Sequence, residues 1–210
     1  MADILPERDP RVIELAVRML RASELVAYPT DTVYGLGAAA GDEEAVRRLF
    51  AVKGRSLSKA MPLLVADTLM AERVAEVTTE AKNLMSRFWP GALTIVMKKK
   101  PSFFSLALAG GDTIGLRVPN HDVPRALSGA LGQPLIGTSA NRSGSRPPMS
   151  AAEVAFQLGE MVPLVIDGGR ALGGTESTVI DFSSTDGPRI VREGAVSRGE
   201  IEAVLKRPVG

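Results

Sequence analysis

Apolar residues recur at helical spacing through "RVIELAVRMLRAS", residues 11–23, and the run "LVAYP" that follows is short, apolar and closed by a proline. The chain therefore reads as helix, then strand. A second helix is predicted over "DEEAVRRLFAVKG", residues 42–54, with acids in its first turn and Gly54 as its stop. "PLLVA" reads as a strand, residues 68–88 as one or two helices, "ALTIVMK" and "TIGLRVP" as strands, and "VPRALSGAL" as a helix. "PLIGTSAN" is a short strand running into a polar loop. Ser150 and Glu153, and later Ser197 and Glu200, have the spacing of capping boxes for two further helices. Between them "PLVID", "STVIDF" and "RIVREG" read as strands, the last two joined by the turn-rich "SSTDGP". Early alternation of helices and strands with a hairpin near the end predicts an α/β fold whose sheet is mixed rather than purely parallel. Gly and Pro are scattered and no repeat occurs, so residues 1–210 are expected to form a single domain.

Composition changes the picture mainly by exclusion. With 45% hydrophobic and 23% charged residues in 210, the chain suits a globular domain with a sizeable core. The opening "MADILPERDP" has no basic segment followed by an apolar run, and no stretch reaches membrane-crossing length. A cytoplasmic protein with no membrane partner is expected. The absence of Cys removes disulfides, thiolate nucleophiles and sulfur-held metals together. The one histidine, His121, lies between two prolines where a helix should begin, and reads as a capping or solvated residue rather than a member of a triad. A net charge of +1 speaks against a dedicated nucleic-acid binder, and "MKKKP" at 97–101 reads as a solvated strand end. Chemistry must come from Lys, Arg, Ser, Thr, Asn, Asp and backbone amides, with no metal held by protein nitrogen or sulfur.

The ligand motifs narrow further. No Walker A string occurs. "GLGAAA" at 35–40 fits a permissive dinucleotide pattern, but "TDTVY" separates it from its strand and the expected ribose-binding acid falls in the basic "KGRSLSK", so a nicotinamide enzyme is only a runner-up. The polar clusters "YPTDT", "KGRSLSK", "TIGLRVP", "GTSANRSG", "DGGRALGGTESTV" and "RIVREG" all sit at strand ends, where open α/β sheets gather ligands. Lys53 offers a point charge and Arg55 a fork for phosphates. Arg117 and Arg192 lie on apolar runs and read as buried charges awaiting anions. Ser139 and Asn141 suit neutral polar atoms.

Together "YPTDTVYGLG", the KxR of "KGR", "FWPGALTIV", "GLRVP", the SxN of "TSAN", and "STV" followed by the RxG of "VREG" resemble the YrdC-like threonylcarbamoyl-AMP synthase family, in family order from about Leu25 to Gly194. The resemblance implies an open twisted mixed parallel/antiparallel sheet flanked by helices, with a concave ligand-binding surface. It implies condensation of L-threonine, bicarbonate and ATP, with Mg2+ on the phosphates, to threonylcarbamoyl-AMP and pyrophosphate. The product would pass to a separate transferase complex that modifies adenosine 37 of tRNAs reading codons that start with A, and direct tRNA contact is a further possibility. Carried over by motif, Thr32, Arg117, Ser139 and Ser177 should hold threonine; Arg55, Lys59, Thr113, Asn141, Ser150 and Arg192 should hold ATP; Lys53 and Arg55 should be catalytic. The glycines after "YPTDT" should let backbone approach the ligand. Ser56 stands where the family usually has proline and Lys59 where many members have asparagine. The chain is expected to be the short, single-domain form, without the extra C-terminal domain. Competing readings are a related domain of hydrogenase maturation that makes a carbamoyl adenylate, an RNA-binding module, and a nucleotide or amino-acid sensor without turnover.

Overall fold

A computed structural model describes residues 2–171, 173 and 175–210. The helical periodicities become α1 (Val12–Arg21), α2 (Glu43–Lys53), α3 (Thr68–Val74), α4 (Thr79–Phe88), α5 (Asp122–Leu131), α6 (Ala151–Leu158) and α7 (Arg198–Leu205). The strands are β1 (Asp3–Pro6), β2 (Val26–Tyr28), β3 (Gly35–Gly37), β4 (Leu63–Leu64), β5 (Leu93–Lys98), β6 (Thr113–Arg117), β7 (Leu135–Ile136), β8 (Thr138–Ser139), β9 (Leu164–Asp167), β10 (Thr178–Asp181) and β11 (Arg189–Arg192). Helix ends carry the expected chemistry. Asp42 caps α2 by accepting from the Ala45 amide, and Gly54 ends it in the left-handed conformation at φ 61°. His121 caps α5, accepting from the Val123 amide through Nδ1 at 3.3 Å.

Five strands form one sheet in the order β1-β9-β2-β3-β8, and six form a second in the order β11-β10-β5-β6-β4-β7. Both mix parallel and antiparallel pairs: β9 is parallel to β1 and β2, β3 is antiparallel to β2, and β5 is parallel to β10 but antiparallel to β6. β10 and β11 form the antiparallel pair expected from the "SSTDGP" turn. Only Gly137 separates β7 from β8, so one extended segment passes from the edge of one sheet to the edge of the other. The Ile136 amide donates to the Ala38 carbonyl at 2.9 Å and closes this seam. One apolar core packs α1 and α5 against the first sheet through Val12, Ala16, Leu20 and Leu127 on Val26, Tyr28, Leu164 and Ile166. A larger core joins the two sheets to the remaining helices. Among the described residues no helix is long and apolar enough to cross a membrane.

Three local expectations are corrected. β1, which the polar start of the chain hid, is an edge strand pairing with β9 through residues 3–6. The second capping box is complete at Ser197 and Glu200, but at α6 the Glu153 carboxylate accepts from the Met149 amide, one residue before the Ser150 cap. The glycines of "YGLG" form buried strand β3 and answer to a tyrosine, not primarily to a ligand. A Cβ on Gly35 would stand 2.7 Å from the Tyr28 ring and one on Gly37 only 2.5 Å from it. Tyr28 is fully buried, its hydroxyl donating to the Ile136 carbonyl at 3.1 Å, so its ring has nowhere to move.

Gly37→Ala should accordingly destabilise the protein by about 1–3 kcal/mol, the cost of overpacking a filled core. Urea unfolding would read this as a lower midpoint at unchanged slope.

Candidate functional site

Strand alternation decides which side chains of the second sheet meet solvent. On β5, Leu93, Ile95 and Met97 enter the core, while Thr94 and Val96 face the other way and line a cavity. On β6 the core takes Ile114 and Leu116, and the cavity takes Thr113, Gly115 and Arg117. Ser177 and Val179, flanking buried Thr178, add the same face at β10, and Arg192 ends β11 there. The far wall comes from the loop after β2, the end of α2 and the β8 segment, through Thr30, Thr32, Lys53, Arg55, Ser139 and Asn141. The cleft measures about 470 Å³, within the size range of small-molecule sites.

Of the residues carried over by motif, the structure brings together Thr32, Lys53, Arg55, Thr113, Arg117, Ser139, Asn141, Ser177 and Arg192 on this one cleft. Two lie outside its lining. Lys59 is exposed in the loop after α2, and the Ser150 hydroxyl is occupied as the cap of α6. Of the four cations lining the cleft, Arg117 is paired with Asp31 and Arg192 with Glu176, and among the described residues no carboxylate pairs with Lys53 or Arg55. This excess of positive charge within low-dielectric walls favours an anion.

Arg117 has the most constrained guanidinium. Its side chain is only 8% exposed. It donates from Nε to the Gly91 carbonyl at 2.8 Å, from Nη2 to Asp31 Oδ1 at 2.6 Å, and from Nη1 to Thr32 Oγ1 at 3.2 Å. Thr30 orders the same turn: its hydroxyl donates to the Val33 carbonyl at 2.7 Å and accepts from the Thr32 amide at 3.1 Å. With that proton committed, Thr32 donates to Thr30 Oγ1 at 3.0 Å and accepts from Arg117, leaving one Thr32 lone pair for a ligand.

Lys53, the last residue of α2, is 4% exposed. Its Nζ donates to the Ser139 carbonyl at 2.5 Å and to Asn141 Oδ1 at 3.0 Å, so one N–H remains for the cleft. Burial, with Arg55 nearby and only partly opposed by Glu176, lowers its pKa to about 8. Asn141 is saturated by the protein: Oδ1 also accepts from Ser139 Oγ at 2.5 Å, and Nδ2 donates to the carbonyls of Arg142 and Ser145. It holds Lys53 and Ser139 in place. Arg55 is tethered by one bond, from Nη2 to the Ala60 carbonyl at 2.8 Å, and its buried Nε has no partner among the described residues.

Arg192 corrects an expectation, since its side chain is 44% exposed rather than buried. An edge strand with exposed residues carries it. It donates to the Ser177 carbonyl from Nε and Nη2, and pairs with Glu176 at 3.0 Å. Sequence reading passed over Asp31, Thr94 and Glu176. Thr94, hydrogen-bonded to Ser177 Oγ at 2.9 Å, carried a usable signal: it is the one polar residue in "ALTIVM" and lies out of phase with Leu93, Ile95 and Met97.

Comparison with known proteins identifies the family to which this fold belongs. The family model Sua5_yciO_yrdC, described as "Telomere recombination", matches residues 18–194. A threonylcarbamoyl-AMP synthase of Bacillus subtilis is 38% identical over 207 residues, covering 98% of this chain and 59% of that protein. A putative threonylcarbamoyl-AMP synthase of Mycobacterium tuberculosis is 39% identical, covering 95% of this chain and 92% of its own length. The chain thus spans about six-tenths of the Bacillus subtilis relative and nearly all of the mycobacterial one. Among solved structures, P. abyssi Sua5 complexed with L-threonine superposes with a TM-score of 0.92 at 37% identity, over 100% of this chain and 62% of that one. E. coli YciO superposes with a TM-score of 0.85 at 30% identity, over 96% of this chain and 100% of that one. By fold, motif order and similarity across most of its length, the chain belongs to the Sua5/YciO/YrdC family.

Proposed function

We propose that this chain is an L-threonylcarbamoyladenylate synthase, an ATP-dependent nucleotidyltransferase that joins L-threonine, bicarbonate and ATP. The observation that carries the reading is the convergence of Lys53, Arg55, Arg117 and Arg192 with the hydroxyls of Thr32, Ser139 and Ser177 on one cleft. The solved relative complexed with L-threonine supports the amino-acid half.

Arg117 receives the threonine carboxylate on the donors left free by Asp31, Thr32 and Gly91, and the spare lone pair of Thr32 accepts from the amino acid. The neutral amine attacks bicarbonate, water leaves, and a carbamate forms. A carbamate oxygen then attacks the α-phosphorus of ATP, and the bond to pyrophosphate breaks. No protein nucleophile is required. Lys53, Arg55 and Arg192 neutralise charge that builds on the phosphates, and the fixed polar groups hold the reactants in line. Thr113 borders the nucleotide end. Among the described residues Glu176 is the one lining carboxylate and is paired with Arg192, and no group of three or more metal-ligating side chains is assembled. Magnesium therefore enters on the phosphates of ATP, as part of the substrate. The adenylate serves a separate transferase complex acting on adenosine 37 of tRNA.

Incubation with MgATP, bicarbonate and L-threonine should release pyrophosphate only when all three are present, with the adenylate visible by mass spectrometry. Lys53→Ala or Arg55→Ala should lower that rate about 100-fold or more. Threonine and ATP binding without pyrophosphate would favour a sensor instead.

The Lys53 ammonium adds a pH signature. Its charged fraction falls from about nine-tenths at pH 7 to about one-tenth at pH 9, given its pKa of about 8. ATP affinity should weaken across that interval in calorimetry, and Lys53→Met should bind weakly but without this slope. Folding stability moves oppositely. Native Lys53 holds its proton less tightly than an unfolded lysine at 10.5, so its contribution rises with pH between about 8 and 10.5.

A further inference from the structure

Gly115 is a glycine that the fold does not require. It lies inside β6, with β5 on one side and β4 on the other. A glycine in a strand interior weakens the strand and usually marks a bulge, close backbone approach or ligand contact. There is no bulge: the β5–β6 register runs unbroken from Ile95 opposite Leu116 to Lys98 opposite Thr113. No backbone crowds it either. The three atoms nearest to a Cβ here would all be side-chain carbons, Thr94 Cγ2 and Val96 Cγ2 at 3.5 Å and Pro62 Cβ at 3.6 Å, which is ordinary contact. The other cleft glycines have reasons within the protein. Gly35 faces the Tyr28 ring at 2.7 Å, Gly137 faces Leu64 at 2.6 Å, and Gly144 has φ +87°.

We infer that the bare face of Gly115 is the floor on which the reacting groups meet, and that this residue limits what fits between amino acid and nucleotide. Thr113 and Arg117 point from the same face of β6, each about 7 Å from Gly115 along the strand. The inference rests on the proposed function, in which Arg117 marks the amino-acid end and Thr113 the nucleotide end. The carbamate and the α-phosphate must then come together over the residue between them. A methyl group there leaves the protein packed as before but occupies space the substrates need.

The test compares wild type, Gly115→Ala and Gly115→Val in melting temperature, affinity for α,β-methylene-ATP by calorimetry, and pyrophosphate release. Alanine should melt at or above wild type, because it favours the strand, while turnover falls about tenfold or more, as expected when one extra carbon enters a fitted pocket. Valine should weaken the nucleotide analogue further than alanine does. A lower melting temperature for alanine would overturn the inference by making the glycine structural. Unchanged turnover and affinity in both variants would overturn it by showing the floor unoccupied, while leaving the synthase reading intact. If wild type binds the analogue and threonine without releasing pyrophosphate, graded loss in the variants still supports the role of Gly115, and the synthase reading falls. A wild type that binds neither overturns both.

Discussion

A buried charge sets the terms for this architecture. Arg117 belongs to the second sheet, while Asp31 and Thr32 belong to the turn leaving β2 of the first. The guanidinium is stripped of most water, so its desolvation must be offset by partners at fixed positions, and removing one partner of such a pair typically costs about 3–5 kcal/mol. The 2.6 Å contact with Asp31 therefore holds the sheets at one separation across the cleft. Its local neutralisation also means that Arg117 is fully oriented before any ligand arrives, which lowers the entropy lost on binding.

The opposite wall follows the same logic with a different cation. Lys53 is buried, and its partners, a carbonyl and a side-chain amide, carry no full charge to offset that loss of water, so its pKa falls. In the proposed function a phosphate of ATP would supply the missing countercharge. One wall thus presents a satisfied charge that orients, and the other an unsatisfied charge that attracts. Arg192, half-exposed and paired with Glu176, is screened by water and presents a weaker charge.

Much of this was legible in the chain before folding, where the local pattern and the global fold agree. Long periodic segments such as α1 and α2, the alternation in β5 and β6, and the cap at Ser197 report their structure directly because each is set by neighbours a few residues away. The motif residues around the cleft were also recoverable, since strand ends gather them. What stayed hidden depends on distant partners. β1 is only four residues long, with an aspartate at one end and a proline at the other, and only pairing with β9, over 150 residues away, makes it a strand. Gly35 and Gly37 looked like ligand-loop glycines because nothing local reveals that Tyr28 will lie beneath them. Arg192 was read as buried from its apolar neighbours, but its strand lies at a sheet edge, and no periodicity distinguishes an edge from a centre.

The left-handed turn at Gly54 separates two kinds of cation only two residues apart. Lys53 is locked into the helix and to the Ser139–Asn141 segment, whereas Arg55 hangs from the following loop by a single side-chain bond to Ala60. The glycine turns the chain at the helix end, where the Gly54 and Arg55 amides still donate to the Ala51 and Phe50 carbonyls. Ser56 and Lys59 are exposed on that loop, and neither is among the partners that hold the Lys53 ammonium. Substitution along the loop would thus bear first on Arg55, while the charge at its root keeps bonds of its own to the Ser139–Asn141 segment.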